Sequence, residues 1–321
     1  MTHSAVVIGL GQIGMGYDLH LPPSQYALTH ARAFAEHPAF SLIGGVDPSA
    51  ARRAEFERIY DCPAFAEPVA AVKELRPDVV AVAVPTEHHR SALTSMLAVH
   101  KPRAVLCEKP LAYELEDAQQ ILAACQTAGC ALFVNYLRRS DPGSQEVLRR
   151  LKAGEIALPV KGVVWYSKGL FHNGSHFLDL LQFWLGEIQD FRIIRPGRDL
   201  GAYDVEPDLS IRFSGGGVHF VAAYEEHFSH YTVELVAPNG RLRYERGGEK
   251  IIWQAVRPSS ATGNYSLLGE DEEFIPSDFD RVQWHVVDHL AQALSGGQTS
   301  LCKGHEALRT IEHLAAIKDS L

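Results

Sequence analysis

Val6-Val7-Ile8-Gly9-Leu10-Gly11-Gln12-Ile13-Gly14 is a short apolar run that breaks into G-x-G-x-x-G. Each glycine of that pattern has its own task. Gly9 permits a tight turn, Gly11 lets backbone approach a pyrophosphate, and Gly14 allows a helix to pack closely on the strand. Backbone N–H groups at the following helix start, those of Gln12 and Ile13, then hold the phosphates. A tight turn that holds nothing is the plain alternative. The motif alone is weak and becomes strong only on the first strand of an α/β half.

The chain around it supplies that setting. Ala5–Ile8, Leu42–Val46, Val79–Val84, Ala104–Cys107 and Ala131–Val134 are apolar runs rich in Val, Ile or Ala, as suits parallel strands covered on both faces. Ala50–Ile59, Val69–Leu75, His89–Val99 and Leu115–Ala128 read as helices between them. The alternation predicts a doubly wound α/β sheet. From about Val160 the pattern changes to strands: Val160–Ser167, Phe191–Arg195, Leu209–Phe213, Gly217–Tyr224, Tyr231–Val236, Arg241–Tyr244 and Lys250–Gln254. Leu242 and Tyr244 alternate with Arg241, Arg243 and Glu245, which means one packed and one wetter face. Asn239-Gly240 is a two-residue hairpin signal. Helices near Arg281–Leu294 and Lys303–Lys318 finish the chain. The expected organisation is a dinucleotide-binding α/β domain over 1–138 and an α+β domain over 139–321, built on an open, mostly antiparallel sheet. The charged, Pro/Gly-bearing stretch Arg138–Gly143 marks the boundary.

Composition narrows the function classes. The 321 residues suit two domains, and 46% hydrophobic with 21% charged residues is ordinary for a globular protein. The net charge of −9 gives no whole-chain basic footprint for nucleic acid. No apolar stretch approaches about 18 residues, so no membrane span is expected. The start Met1-Thr2-His3-Ser4 runs straight into the first strand and reads as no signal peptide. Five scattered cysteines, without a CxxC pair, predict reduced thiols in a cytoplasmic protein and no zinc site.

Asp47 ends the second strand. A carboxylate there accepts the ribose hydroxyls of NAD and repels a 2′-phosphate. It lies 33 residues beyond Gly14, against about 20 in the usual motif. The excess falls in Met15–Leu28, where Pro22-Pro23 forbids one continuous helix. That insertion reads as a loop over the cofactor or substrate mouth, with Tyr17, Asp18, His20 and Tyr26 either touching ligand or simply solvated. Arg52 and Arg53 leave NADP open.

Val105-Leu106-Cys107-Glu108-Lys109-Pro110-Leu111 puts a lysine at the carboxyl end of a buried strand, the edge where open α/β sheets bind ligands. A cation beside a carbinol oxygen would stabilise developing alkoxide. Further on, Phe171-His172-Asn173-Gly174-Ser175-His176-Phe177-Leu178-Asp179 sets His176 and Asp179 one turn apart on an apolar helix. A histidine suits proton transfer near neutrality. A core histidine satisfied by a backbone carbonyl is the alternative reading. His172, His176 and Asp179 also have metal-ligand chemistry, but hydride transfer to nicotinamide needs no metal, and none is expected.

With these motifs the chain resembles the Gfo/Idh/MocA oxidoreductases, the family of glucose–fructose oxidoreductase and inositol dehydrogenase. The resemblance rests on Gly9–Gly14, Val84-Pro85-Thr86 with His88-His89, Cys107–Leu111, Gly174–Asp179 and Lys303-Gly304-His305-Glu306-Ala307-Leu308-Arg309. It implies a Rossmann domain, an open-sheet domain, NAD(P), sugar-like substrates, and a homodimer or homotetramer packed through the sheet. It implies Lys109 and His176 as catalytic residues. Glu108, Pro85, Thr86 and His89 join Gly9, Gly11, Gln12, Ile13, Gly14, Asp47 and Lys109 around the cofactor. Asp179 matches the family's acidic residue. The family pattern is Asp-x-x-x-His, and His172 stands where its Asp would be, as a second relay, a substrate contact or filler. Asn173 either binds a substrate hydroxyl or caps the helix. Tyr136 and Arg138, beside Asn135 and Arg139, and Lys168 lead towards substrate or towards solvent. The expected activity is an NAD(P)-dependent dehydrogenase acting on a secondary alcohol of a sugar, nucleotide-sugar or cyclitol. A non-catalytic NAD-binding regulator or sensor, and a transient-redox NAD-dependent glycosidase, are its competitors.

Overall fold

The structure is a computed structural model that describes residues 2–201, 203–259 and 265–321. It divides into two compact units, Met1–Ser140 with Asp280–Glu312, and Asp141–Phe279 with His313–Leu321.

In the first unit β1 (His3–Ile8), α1 (His30–Glu36), β2 (Phe40–Val46), α2 (Ala50–Tyr60), β3 (Ala64–Phe65), α3 (Pro68–Leu75), β4 (Val79–Val82), α4 (His89–Leu97), β5 (Ala104–Cys107), α5 (Leu115–Ala128) and β6 (Ala131–Val134) follow one another. The strands lie in the order β3-β2-β1-β4-β5-β6 and pair in parallel. That is the doubly wound order expected from the alternation. It reverses between β1 and β4, where open sheets leave a crevice for ligand. β4 and β5 are buried at every residue. Their sequences are therefore continuous apolar runs rather than alternating ones.

The segment after the glycine loop departs from expectation. It forms only a short π-type turn, Gln12–Gly16, and the true helix α1 waits until Thr29 caps it at His30. The chain between is not a solvated loop at Asp18, which is fully buried. Its carboxylate accepts the N–H groups of Leu28 and Thr29 and the Thr29 hydroxyl. Arg32 donates to the carbonyls of Leu21 and Tyr26, so the insertion is folded onto its own exit. Tyr17, at 58%, and His20 stay exposed, and Tyr26 is half-buried.

The second unit contains α6 (Pro142–Ala153), β7 (Val160–Tyr166), α7 (Ser175–Leu185), β8 (Ile188–Asp199), β9 (Val205–Phe213), β10 (Gly216–Ala222), β11 (Thr232–Ala237), β12 (Gly240–Glu245), β13 (Lys250–Pro258), β14 (Ser266–Leu268) and β15 (Glu273–Ile275). Its sheet runs β14-β13-β12-β11-β7-β10-β9-β8, with β15 on β13. Among the described residues of this sheet only β7 and β10 pair in parallel, so the sheet is mostly antiparallel as expected. The hairpin at Asn239 is shifted by one residue. Ala237 pairs with Gly240, leaving Pro238-Asn239 as the turn. Gly240 is required by packing, because a Cβ there would sit 2.4 Å from the Trp253 ring. Asn239 bonds instead to the backbone of Glu155 and Ala157.

The chain then returns to the first unit as α8 (Val282–Leu294) and β16 (Cys302–Lys303), while α9 (Gly304–Asp319) begins there and ends in the second unit. β16 adds antiparallel to β6. Val286, Val287 and Leu290 of α8 join Val7, Phe34 and Leu106 in one apolar core. Among the described residues, no helix is long and apolar enough to cross a membrane.

Candidate active site

The glycine turn is the first part of the site. Gly9 has φ +98°, and a Cβ on it would lie 2.6 Å from the Ala83 carbonyl carbon. A Cβ on Gly14 would lie 1.9 Å from the Gly9 oxygen. Both are fixed by the protein's own packing. Gly11 differs: the nearest atom to its Cβ position is Arg52 Nη1, at 4.0 Å. The chain leaves that approach open, which is what a phosphate coming onto backbone requires. Gly11 brings no side-chain cap to the turn Gln12–Gly16, so the turn's leading N–H groups suit an anion. These residues fit a dinucleotide.

Asp47 is tied to the same turn. Its Oδ2 accepts the Leu10 N–H at 3.0 Å and its Oδ1 accepts the Ser49 N–H at 2.8 Å, and the residue is 3% exposed. Arg53 donates to the Asp47 and Pro48 carbonyls, so that guanidinium braces backbone. Arg52 reaches Asp47 Oδ2 at 3.4 Å from a half-exposed position.

Two loops face each other at the ends of β4 and β5. Pro85 precedes a short 3-10 turn, Thr86–His88, and α4 follows directly at His89. His89 is buried beneath both loops, its Nε2 3.0 Å from the Val84 carbonyl and its Nδ1 3.1 Å from that of Leu111. Burial lowers its pKa and outweighs the two carbonyls and Glu108, which pull the other way. A neutral ring donates its one N–H to one of these carbonyls, and its other nitrogen also faces protein oxygen rather than a ligand.

Glu108 and Lys109 directly follow β5. The Glu108 carboxylate is buried, which disfavours its charge. The hydrogen bond from His30, with that from Asn135 and the Lys109 charge, overcomes this and holds it below the usual carboxylate range. Its Oε1 accepts from His30 Nε2 at 2.8 Å and from Asn135 Nδ2 at 2.6 Å, and its Oε2 from the Lys109 N–H at 3.3 Å. Lys109 itself is half-buried. Of the cluster after β6, Tyr136 is buried, Arg138 is half-buried, and Arg139 is ion-paired with Glu306 at 3.2 Å. Sequence reasoning missed His30 and Gln283 altogether, since neither belongs to a motif.

In the second unit, His172 and Asn173 lie on a π-type turn, Gly169–Gly174, leading into α7. His176 and Asp179 follow on α7 at one-turn spacing, 6% and 1% exposed. The turn is built from β9: Asp204 accepts the N–H groups of Phe171 and His172, and Glu206 that of Gly169. Burial raises the Asp204 pKa against the pull of those N–H groups. Lys168, with φ 64°, opens the turn. Its ammonium lies 3.6 Å from Glu225, and Tyr231 first, then Glu225, raise its pKa. Asn173 Nδ2 donates to the Tyr231 hydroxyl at 3.1 Å. Tyr231 thus joins two predicted substrate residues, Lys168 and Asn173, and nothing in the sequence marked it. Among the described residues, no cluster of three His, Cys, Asp or Glu is arranged to hold a metal.

Comparison with known proteins agrees with this architecture. Residues 4–136 match the model of an oxidoreductase family with an NAD-binding Rossmann fold, GFO_IDH_MocA. Inositol 2-dehydrogenase 3 of Saccharopolyspora erythraea is 30% identical over 241 residues, 70% of each chain. D-apiose dehydrogenase of Paraburkholderia graminis is 33% identical over 128 residues, and the match spans only 34% of that protein's length and 35% of this one. The crystal structure of aldose-aldose oxidoreductase from Caulobacter crescentus, complexed with glycerol, superposes with TM-score 0.77 over 99% of this chain and 97% of that one. At 18% identity the last likeness speaks for the fold alone.

Proposed function

The chain belongs to the Gfo/Idh/MocA oxidoreductase family, and on that premise we propose that it is an NAD-dependent dehydrogenase acting on a secondary alcohol of a sugar, nucleotide-sugar or cyclitol. The observation that carries the reading is the glycine turn. Gly9 and Gly14 are demanded by the chain's own atoms, Gly11 is not, and Asp47 is fastened to the same turn.

Gly9–Gly14, with the N–H groups of Gln12 and Ile13, would take the pyrophosphate. The Asp47 carboxylate would accept ribose hydroxyls. Its charge, and the use of Arg53 on backbone, favour NAD over NADP. When bound, the nicotinamide supplies the hydride acceptor. Pro85 and Thr86 line its loop, and His89 and Glu108 keep that loop and Lys109 in place. Lys109 and His176 are assigned to the reacting hydroxyl. The ammonium stabilises oxygen charge as the C–H bond opens, and the imidazole takes the hydroxyl proton. His172, Asn173, Asp179, Lys168, Tyr136 and Arg138 are the proposed substrate contacts.

The test is Lys109→Met. NAD affinity measured by calorimetry should hold within a few-fold, while turnover falls by about a hundredfold or more, the scale of lost charge stabilisation. Unchanged turnover would remove the assigned role.

A further inference from the structure

Four buried side chains of the first unit close a ring behind the Glu108–Lys109 peptide. His30 Nε2 lies 2.8 Å from Glu108 Oε1, and Asn135 Nδ2 lies 2.6 Å from the same oxygen. Asn135 Nδ2 also reaches Gln283 Oε1 at 3.1 Å, and Gln283 Nε2 reaches His30 Nδ1 at 2.9 Å. The residues come from the start of α1, the ends of β5 and β6, and the first turn of α8.

An ionised Glu108 fixes every proton in the ring. It only accepts, so Asn135 turns its amide N–H groups to Glu108 and Gln283. Gln283 then accepts at its oxygen and donates from its nitrogen to His30 Nδ1. His30 is left as the neutral tautomer, with its proton on Nε2 and donated to Glu108. Asn135 Oδ1 is buried with no hydrogen-bond partner among the described residues, a cost that packing alone does not explain.

We propose that His30, Asn135 and Gln283 are positioning residues: they hold the Glu108 carboxylate ionised and oriented, and through its contact with the Lys109 N–H they set the lysine for alcohol oxidation. The role in oxidation rests on the dehydrogenase reading above.

Two measurements on the full chain test it. The first is nitrogen-15 NMR of histidine-labelled protein near neutral pH, with the His30 signal identified by its loss in His30→Gln. The expected pattern is a protonated Nε2 and a bare Nδ1. Gln283→Glu should convert it to the doubly protonated pattern, because a carboxylate oxygen would then face Nδ1. A proton on Nδ1 in the unaltered protein, or no response to Gln283→Glu, overturns the ring.

The second measurement is steady-state kinetics. His30→Phe should lower kcat between about tenfold and a hundredfold, the scale of a small misplacement at the reacting centre. The KM for NAD should stay within about twofold, and His30→Gln, which still donates an N–H, should recover most of the loss. If His30→Phe fails to fold, Gln283→Leu takes its place with the same expected split. Equal loss in kcat and cofactor affinity, or none, contradicts positioning. If the unaltered protein oxidises no polyol, the dehydrogenase reading and the positioning role fall together. If it does and the variants match it, only the positioning role falls.

Discussion

Gly11 and Gly14 have different tasks in the motif, and the distances around them separate the two. A methyl group on Gly14 would meet the Gly9 oxygen at 1.9 Å, whereas one on Gly11 meets nothing closer than the Arg52 guanidinium at 4.0 Å. Gly14→Ala is therefore a packing lesion. It should cost about 1–3 kcal/mol, which is several degrees of melting temperature. Gly11→Ala should melt with the unaltered protein and yet bind NAD about tenfold more weakly or worse, since its methyl occupies the phosphate's approach. Differential scanning fluorimetry with calorimetric titration separates the two; equal NAD affinity in Gly11→Ala would mean that no phosphate comes there. At this scale the tight turn at Gly9 and the close packing at Gly14 were legible because their pattern is local. The sequence was silent where partners are distant. His30 and Gln283 are 253 positions apart and carry no shared spacing, so only the fold brings them together.

Elements carry the site by their ends. The strands β4 and β5 stop side by side, and the His89 ring lies between the two loops that leave them, with a single N–H to give to the Val84 or the Leu111 carbonyl. Burial keeps that ring neutral, its pKa depressed from 6.5. The unfolded chain therefore takes up the proton first as pH falls. The stability from a neutral His89 is complete above about pH 6.5 and drains away as pH drops towards the folded value. Melting temperature should decline between pH 7.5 and 5.5, and His89→Leu, less stable at pH 7.5, should show a shallower decline. A decline equally steep in both would exclude His89 as its source. Most strands and helices were legible because their apolar runs have a clear period. The helix α6 was not, although Asp141 caps it and Pro142 opens it. Those same residues look like a linker when no packing is visible. The insertion misled in the opposite sense: Asp18 reads as loop polarity and is instead the buried hub of the turn that delivers Thr29 and His30.

At the scale of the whole molecule, the wet face of the second unit's sheet sets apolar side chains among charges. Lys161, Val163, His219, Glu234 and Val236 line a shallow concavity of about 390 Å³ on it. Trp165, on the same face of β7 as Val163, is 41% exposed. Exposed apolar side chains set among charges suit association, and we infer a homodimer or homotetramer packed through this face. Analytical ultracentrifugation should give an oligomer that Val163→Glu dissociates; a monomer at micromolar concentration would refute it. The two-sheet plan was legible from the change in pattern near Val160. The return of α8 to the first unit was not, because helical periodicity does not say which core a helix joins. Hydride transfer is tested most directly by supplying NAD with a panel of cyclitols, sugars and nucleotide-sugars carrying deuterium on the carbinol carbons. Reduced nicotinamide should be released to solution with that deuterium on its ring, for at least one compound, and much more slowly from Lys109→Met. Deuterium that never reaches released cofactor, across the whole panel, would contradict that transfer.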